Sequence, residues 1–259
     1  MKRLTIKRSA PPPRRNVLIT GASSGLGAEL ARRHAAQGRN LALCARRTDR
    51  LHALREELPA QHPTIRVETR RLDVTDHQQV FAVFDELTAA LGGLDRVIVN
   101  AGVSRVACIG TGDFALNQQI LATNLNAALT QCEAALRIMR AQRSGHLVMV
   151  SSVGALRGLP GLTAYSASKA GAATLAEGIR AGLFDTPIAV TTLLPGFIES
   201  EMTDADKRPP LIVSTRKGVD AMMKAINAER ATAIIPPWPW RPLAVVLRHI
   251  PVRLLARLG

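Results

Sequence analysis

The chain has 259 residues, 47% hydrophobic and 21% charged. That balance predicts a packed core rather than disorder, and no apolar run approaches the roughly 18 residues of a membrane-spanning helix. Lysine and arginine outnumber the acids 34 to 20, for a formal net charge of +14.

Much of that charge sits at the ends. Residues 1–16 carry Lys2, Arg3, Lys7, Arg8, Arg14 and Arg15 without an acid, and residues 231–259 carry Arg241, Arg248, Arg253 and Arg257 without one. Residues 1–15, which include PPPRR, read as a basic flexible tail and lack the apolar stretch of a secretory signal. From Asn16 onward, short β-branched runs alternate with helical stretches. VLIT (17–20) predicts a buried strand, followed by a glycine-rich turn and a helix to about Gln37. NLALCAR (40–46) predicts a second strand with a helix near 48–58, and IRVETRRL (65–72) a third with a helix near 76–91. LDRVIVNAG (94–102) contains the fourth, followed by a long helical region from about Asp113 to Gln142. HLVMVSS (146–152), a helix near 163–183, IAVTTLLPG (188–196) and a short ATAIIP (231–236) complete the series.

Alternation at this spacing predicts βαβ units. Right-handed crossovers then give an α/β fold, a Rossmann-type doubly wound parallel sheet flanked by helices, with ligands at the C-terminal strand ends. No repeat or linker interrupts 17–250. One domain is expected over 16–235, followed by a basic apolar extension over 236–259. Cys44, Cys108 and Cys132 are odd in number and lack metal-ligand spacing. They argue against a disulfide framework and a metal site, and for a reducing cytoplasm.

The turn Thr20-Gly21-Ala22-Ser23-Ser24-Gly25-Leu26-Gly27 lies between the first strand and the first helix. Gly21 permits a tight turn, Gly25 a close backbone approach to a pyrophosphate, and Gly27 close helix packing. The helix N-terminus offers free N–H groups to phosphates, and Ser23 and Ser24 add hydroxyls. Tyr165 and Lys169 are four apart on a predicted helix and share a face. An ammonium beside a phenol is expected to lower the phenol's pKa toward the operating range, so the pair can move a proton to or from a substrate oxygen. Ser152, at the end of the fifth strand, can hydrogen-bond the same oxygen. Tyr165 is the chain's one tyrosine.

In this order and spacing the chain resembles the short-chain dehydrogenase/reductase family over roughly residues 16–203. The turn resembles its TGxxxGxG motif, Asn100-Ala101-Gly102 its NAG motif, Tyr165 to Lys169 its YxxxK motif, and Pro195-Gly196 its PG motif. Ser152, thirteen residues before Tyr165, and Asn124, in the long helical region, match its remaining active-site positions; Asn126 is a rival to Asn124, which is chosen by its place in the family pattern. The resemblance implies Asn124, Ser152, Tyr165 and Lys169 as catalytic residues. Lys169 would also hold the nicotinamide ribose, and Asn124 would anchor a water that relays protons. Asp73, followed by Val74, resembles the family residue at the adenine edge, although a helix N-cap reading stays open.

Past the glycines the second strand ends Cys44-Ala45-Arg46-Arg47. Ala45 stands where NAD-preferring relatives carry an acid, and Arg46 can pair with a 2′-phosphate. NADP(H) is therefore expected over NAD(H). After Gly196, Phe197-Ile198-Glu199-Ser200 places Ile198 and Ser200 near the nicotinamide carboxamide in the family pattern. Residues 197–216 read as a substrate loop, with Leu211, Ile212 and Val213 either greasy lid or core. Leu156, Leu159, Leu162 and Thr163 are candidates to line the cleft. In the extension, Trp238 and Trp240 beside arginines fit an anionic membrane surface on the inner face. Packing over the sheet or against a second subunit, in a homodimer or homotetramer, stays open.

The expected function is hydride transfer between a nicotinamide and a carbonyl or secondary alcohol, with a hydrophobic or lipid-like substrate. A catalytically silent nucleotide-binding or redox-sensing protein on the same fold is the alternative; the intact Ser152, Tyr165 and Lys169 argue against it. No specific nucleic acid is expected, since the body of the chain is only mildly basic and carries no recognition motif.

Overall fold

A computed structural model describes residues 13–201 and 211–258. In chain order the strands are β1 (Asn16–Thr20), β2 (Asn40–Ala45), β3 (Val67–Arg71), β4 (Arg96–Val99), β5 (Gly145–Val150), β6 (Ile188–Pro195) and β7 (Thr232–Ile235). The helices are α1 (Gly25–Ala35), α2 (Thr48–Gln61), α3 (His77–Leu91), α4 (Phe114–Leu121), α5 (Ala127–Gln142), α6 (Thr163–Gly182), α7 (Thr215–Asn227), α8 (Pro237–His249) and α9 (Val252–Leu255). The strands form one parallel sheet in the order β3-β2-β1-β4-β5-β6-β7. This is the Rossmann-type α/β architecture that the alternation predicts. The strand order reverses between β1 and β4, which puts a crevice at their C-terminal ends.

The side-chain alternation of each strand feeds two cores. On one face Val17, Ile19 and Leu41 pack against Leu30 of α1, Leu58 of α2 and Met222 of α7. On the other, Leu18, Val97 and Leu147 pack against Phe84 of α3, Ala134 of α5 and Ala176 of α6. Helices on both faces explain why the central strands read as unbroken apolar runs.

One expectation is corrected here. The steps β4–α5–β5, β5–α6–β6 and β6–α7–β7 all move the same way across the sheet, yet α7 lies on the opposite face from α5 and α6. The last crossover therefore winds with the opposite hand to its neighbours. The long connection between β6 and α7, residues 196–214, gives the chain length to change faces, where a short loop would enforce the right-handed step.

Two helices also depart from expectation. The region 113–142 is not one helix: a π turn, Ala122–Asn126, separates α4 from α5. The helix near 48–58 runs on to Gln61 with Pro59 in its last turn, where the missing N–H removes one i→i−4 hydrogen bond.

Arg14 and Arg15, assigned by sequence to the tail, are anchored. Arg14 is buried, and its Nε donates to Glu229 Oε1 at 2.9 Å. The Arg15 amide donates to Asp95 Oδ2 at 2.9 Å. The rest of the basic tail, residues 1–12, lies outside the described residues, as do residues 202–210 of the substrate loop. The three cysteines are free, Cys44 and Cys132 buried and Cys108 exposed. Among the described residues no helix is long and apolar enough to cross a membrane.

Candidate active site

The glycine turn leaves β1 and enters α1 at the sheet's reversal point. Gly21 adopts φ +64°, a region that L side chains avoid, and a Cβ there would sit 2.9 Å from Ala101 Cα. A Cβ on Gly27 would stand 2.2 Å from the Gly21 carbonyl oxygen and 2.8 Å from Asn100 Nδ2. Both glycines are thus required to close α1 onto the turn and the turn onto the β4 exit. Asn100 stitches the same junction: its Nδ2 donates to the Thr20 carbonyl at 2.9 Å. The Thr20 hydroxyl accepts from the amides of Asn100 and Ala101 at 3.1 and 3.2 Å. Thr20 is fully buried. Its side chain shapes the turn. Leu26 is partly buried against the core of the α1 face.

Ser24 begins α1 without capping it through its side chain. Its hydroxyl instead accepts from Arg47 Nη2 at 2.5 Å, and Ser23 Oγ accepts from Arg47 Nε at 3.3 Å. Arg47 also pairs with Glu201, 2.9 Å away, and Arg50 pairs with the same carboxylate. Arg47 therefore spans the mouth of the turn; the sequence reading singled out Arg46 for a 2′-phosphate and gave Arg47 no role. Arg46 is exposed and lies toward Asp73. Burial acts to raise the Asp73 carboxyl, but hydrogen bonds from Thr75 and the charges of Arg46 and Arg71 hold it below its ordinary value. Asp73 does not cap α3: Asp76 does, accepting from the Gln79 amide at 3.0 Å. Val74 is buried in the core, so only its backbone is free to meet a ligand.

The second half of the site comes from β5, α6 and the π turn. Ser151 Oγ donates to the Lys169 carbonyl at 2.7 Å, locking α6 to the end of β5. Ser152 Oγ accepts from the Gly154 amide at 3.0 Å and is hydrogen-bonded to Tyr165. Lys169 is buried, and its Nζ donates to the Val150 carbonyl at 3.1 Å. Burial lowers its pKa to about 8. Burial raises the Tyr165 phenol above its ordinary value, and the Ser152 hydrogen bond only partly opposes this. The expected lowering by Lys169 is therefore overturned in this structure. The ammonium lies 5.9 Å from the ring centroid, directed at a backbone carbonyl, and desolvation of the phenolate wins.

Asn124 sits in the π turn, where one extra residue per turn displaces its side chain from the α-helical path. It is pinned on both sides of its amide: Oδ1 accepts from the Val103 amide at 2.8 Å, and Nδ2 donates to the Val103 carbonyl at 2.8 Å and to Ser168 Oγ at 3.2 Å. A Cβ on Gly102 would lie 3.1 Å from Asn124 Oδ1 and 3.3 Å from Lys169 Nζ. The NAG segment, the π turn and α6 thus meet at one glycine.

Pro195 and Gly196 close the site from β6. A Cβ on Gly196 would stand 2.2 Å from Trp240 Cε2, and Trp240 meets Phe197 edge-on at 5.2 Å. Trp240 is buried, and nothing in the sequence marked it as a wall of this site. Ile198 is buried in the core and bridges to Val213, so its side chain turns away from the crevice. Val213 is core rather than lid, for the same reason. Ser200 lies against Gly25 of the turn, 3.4 Å from its would-be Cβ. Among the described residues no group of His, Cys, Asp or Glu side chains is arranged to hold a metal.

Comparison with known proteins agrees with this geometry. Residues 15–210 match the family model for short chain dehydrogenase. An uncharacterised oxidoreductase of Mycobacterium tuberculosis is 50% identical over 245 residues, 94% of this chain and 97% of that protein. Dehydrogenase/reductase SDR family member 7B of Bos taurus is 30% identical, covering 93% of this chain and 79% of its own. Among solved structures, levodione reductase superposes with a TM-score of 0.78 at 27% identity, covering 85% of this chain and 94% of that one.

Proposed function

The chain belongs to the short-chain dehydrogenase family and is an oxidoreductase, and on that premise we propose an NADP(H)-dependent reductase of hydrophobic carbonyls in which Tyr165 moves the proton. The residues present fit a dinucleotide. The glycine turn brings the N-terminus of α1 close to the β4 exit, where free N–H groups meet phosphates. Gly102 leaves a gap beside Lys169 Nζ and Asn124 Oδ1 that any side chain would fill. Ser23, Ser24, Arg46 and Arg47 would hold the phosphates, Asp73 and the Val74 backbone the adenine end, and Asn100, Ala101, Pro195, Gly196 and Ser200 the nicotinamide half. When bound, the nicotinamide supplies the hydride that a carbonyl carbon takes up.

The observation that carries the reading is the Ser152–Tyr165–Lys169 cluster. The half-buried Tyr165 phenol is pushed above its ordinary value, so it keeps the proton that it donates. Tyr165 gives its hydroxyl proton to the substrate oxygen while Ser152 stabilises the charge developing there. Lys169, protonated below about pH 8, keeps its ammonium 5.9 Å from the Tyr165 ring and would hold the nicotinamide ribose, and Asn124 fixes the Val103 segment beside it.

NADP preference rests on Ala45, buried and uncharged at the end of β2, and on the two arginines after it. Glu201 occupies the Arg47 and Arg50 guanidiniums and would compete with an incoming phosphate. A hydrophobic substrate is favoured by the Phe197–Trp240 wall. Exposed Trp238, Val245, Val246, Val252 and Leu254 share α8 and α9 with exposed Arg241, Arg248 and Arg253, which favours docking on an anionic membrane surface on the cytoplasmic side. Family members are commonly oligomeric, and a homodimer or homotetramer is the assembly we infer.

The test is NADPH oxidation against ketones and aldehydes of increasing chain length, with and without anionic liposomes. Tyr165→Phe is expected to lose about 10²–10⁴-fold in kcat. Equal rates in the variant would remove the mechanism. Turnover confined to small soluble carbonyls, unchanged by liposomes, would remove the substrate assignment.

A further inference from the structure

At the opposite edge of the sheet, where strands begin, lies a cavity of about 500 Å³. It is lined by Arg14 before β1, Gln37 and Arg39 before β2, Arg96 at the start of β4, Asn227 at the end of α7 and Glu229 after it. None of these residues belongs to the crevice at the C-terminal strand ends.

Its charge is unbalanced. Three guanidiniums face one carboxylate, leaving two positive charges in excess. Glu229 is already engaged by Arg14. Arg96 is 97% buried, and among the described residues no carboxylate lies within 4 Å of it. Its contacts are neutral and mostly long: His146 Nδ1 at 3.0 Å, and His34 Nε2, Asn227 Oδ1 and the Ile226 carbonyl at 3.4 Å each. Arg39 Nε is buried with no hydrogen-bond partner among the described residues. Buried guanidiniums ordinarily face an anion. Asp95 attracts Arg96 from outside the lining, with its Oδ2 held by the Arg15 and Asn16 amides. Residues 1–12 contain four basic residues and no Asp or Glu, so that segment brings no side-chain carboxylate.

We propose that this cavity binds a small soluble dianion of the phosphate type, held by Arg14, Arg39 and Arg96. The planar guanidinium fork matches the oxygens of a phosphate group, and a dianion balances the two excess charges. His34 and His146, buried and pushed down by Arg96, stay neutral at physiological pH, so the balance is fixed. The site differs in place and ligand from the proposed cofactor crevice.

The experiment is calorimetric titration of the full-length chain with inorganic phosphate at constant ionic strength, against chloride as the control. Gln37→Glu and Arg39→Ala are expected to weaken binding at least tenfold, while Arg47→Ala, at the cofactor turn, binds as wild type. Gln37 is exposed, and a Glu oxygen still accepts from Asn227 Nδ2 as the Gln oxygen does at 3.3 Å, so this variant is expected to fold. It also supplies one of the two missing charges: its Tm should exceed wild type in phosphate-free buffer and respond less to phosphate. Wild type should gain about 5 °C or more at phosphate a hundredfold above its Kd. Glycerol 3-phosphate in a parallel titration separates the sources: tighter binding assigns a phosphorylated metabolite, equal binding free phosphate. Unchanged affinity in Gln37→Glu, loss confined to Arg47→Ala, or no binding beyond the chloride control would each overturn the proposal. The kcat of Gln37→Glu should equal wild type, which keeps this result independent of the proposed reaction.

Discussion

Lys169 shows how a residue chosen for chemistry strains the fold. Its ammonium has a pKa of about 8 against an ordinary 10.5, so burying the charge costs on the order of 3 kcal/mol. Below pH 8 the group is charged in both folded and unfolded states, and the full penalty applies. Between 8 and 10.5 the folded lysine is neutral while the unfolded one still binds a proton. Stability therefore rises with pH through that window. Lys169→Met is expected to be more stable than wild type by about 2 kcal/mol at pH 7, after loss of the Val150 hydrogen bond, or about 5 °C in Tm. The gain should fade toward pH 10.5 while activity is lost. Thermal melts at pH 7 and pH 10 check the sign. At the cofactor mouth, Arg46→Ala and Arg47→Ala are each expected to raise KM for NADPH at least tenfold and leave KM for NADH unchanged. Glu201→Gln should move KM for NADPH the other way. Steady-state kinetics with both cofactors reads all three.

Among the elements, α8 divides its two tryptophans between opposite tasks. Trp240 is buried against Gly196 and Phe197, whereas Trp238 is 78% exposed. Trp240→Ala is expected to cost about 3–5 kcal/mol and to disturb turnover through the Gly196 wall. Trp238→Ala should leave stability within about 0.5 kcal/mol and weaken liposome binding. Chemical denaturation and flotation separate the two effects. The sequence could not make this division, because both tryptophans sit beside prolines in the same short segment. The π turn was equally hidden. Apolar periodicity continues on either side of Ala122–Asn126, and one extra residue in a turn leaves no compositional mark.

Across the whole molecule, the parallel sheet separates the crevice at the C-terminal strand ends from the polar cavity at the strand starts. At the strand starts, burial and the charge of Arg96 hold His34 at a pKa of about 3 and His146 well below 6.5. Both are neutral when folded, and the unfolded chain takes up protons below about pH 6.5. Stability is therefore present above that pH and lost as pH falls toward 3, by about 1.4 kcal/mol per pH unit for each histidine. Urea denaturation from pH 7 to 4 should show the slope; a flat profile would mean that these histidines are protonated in the native state.

The sequence alone determined the strand–helix alternation, the parallel Rossmann-type sheet, the glycine turn and the Ser152–Tyr165–Lys169 spacing. These are local quantities: a β-branched run, a positive-φ glycine, two side chains one helical turn apart. Tertiary structure alone decided the opposite hand of the last crossover, the direction of the Tyr165 pKa, the choice of Arg47 as the span across the turn, and the burial of Trp240. It also decided the joining of Arg14, Arg39 and Arg96, far apart in the chain, around one cavity. Each of these depends on which desolvated groups meet across the sheet, and that is set by packing between segments rather than by spacing along the chain.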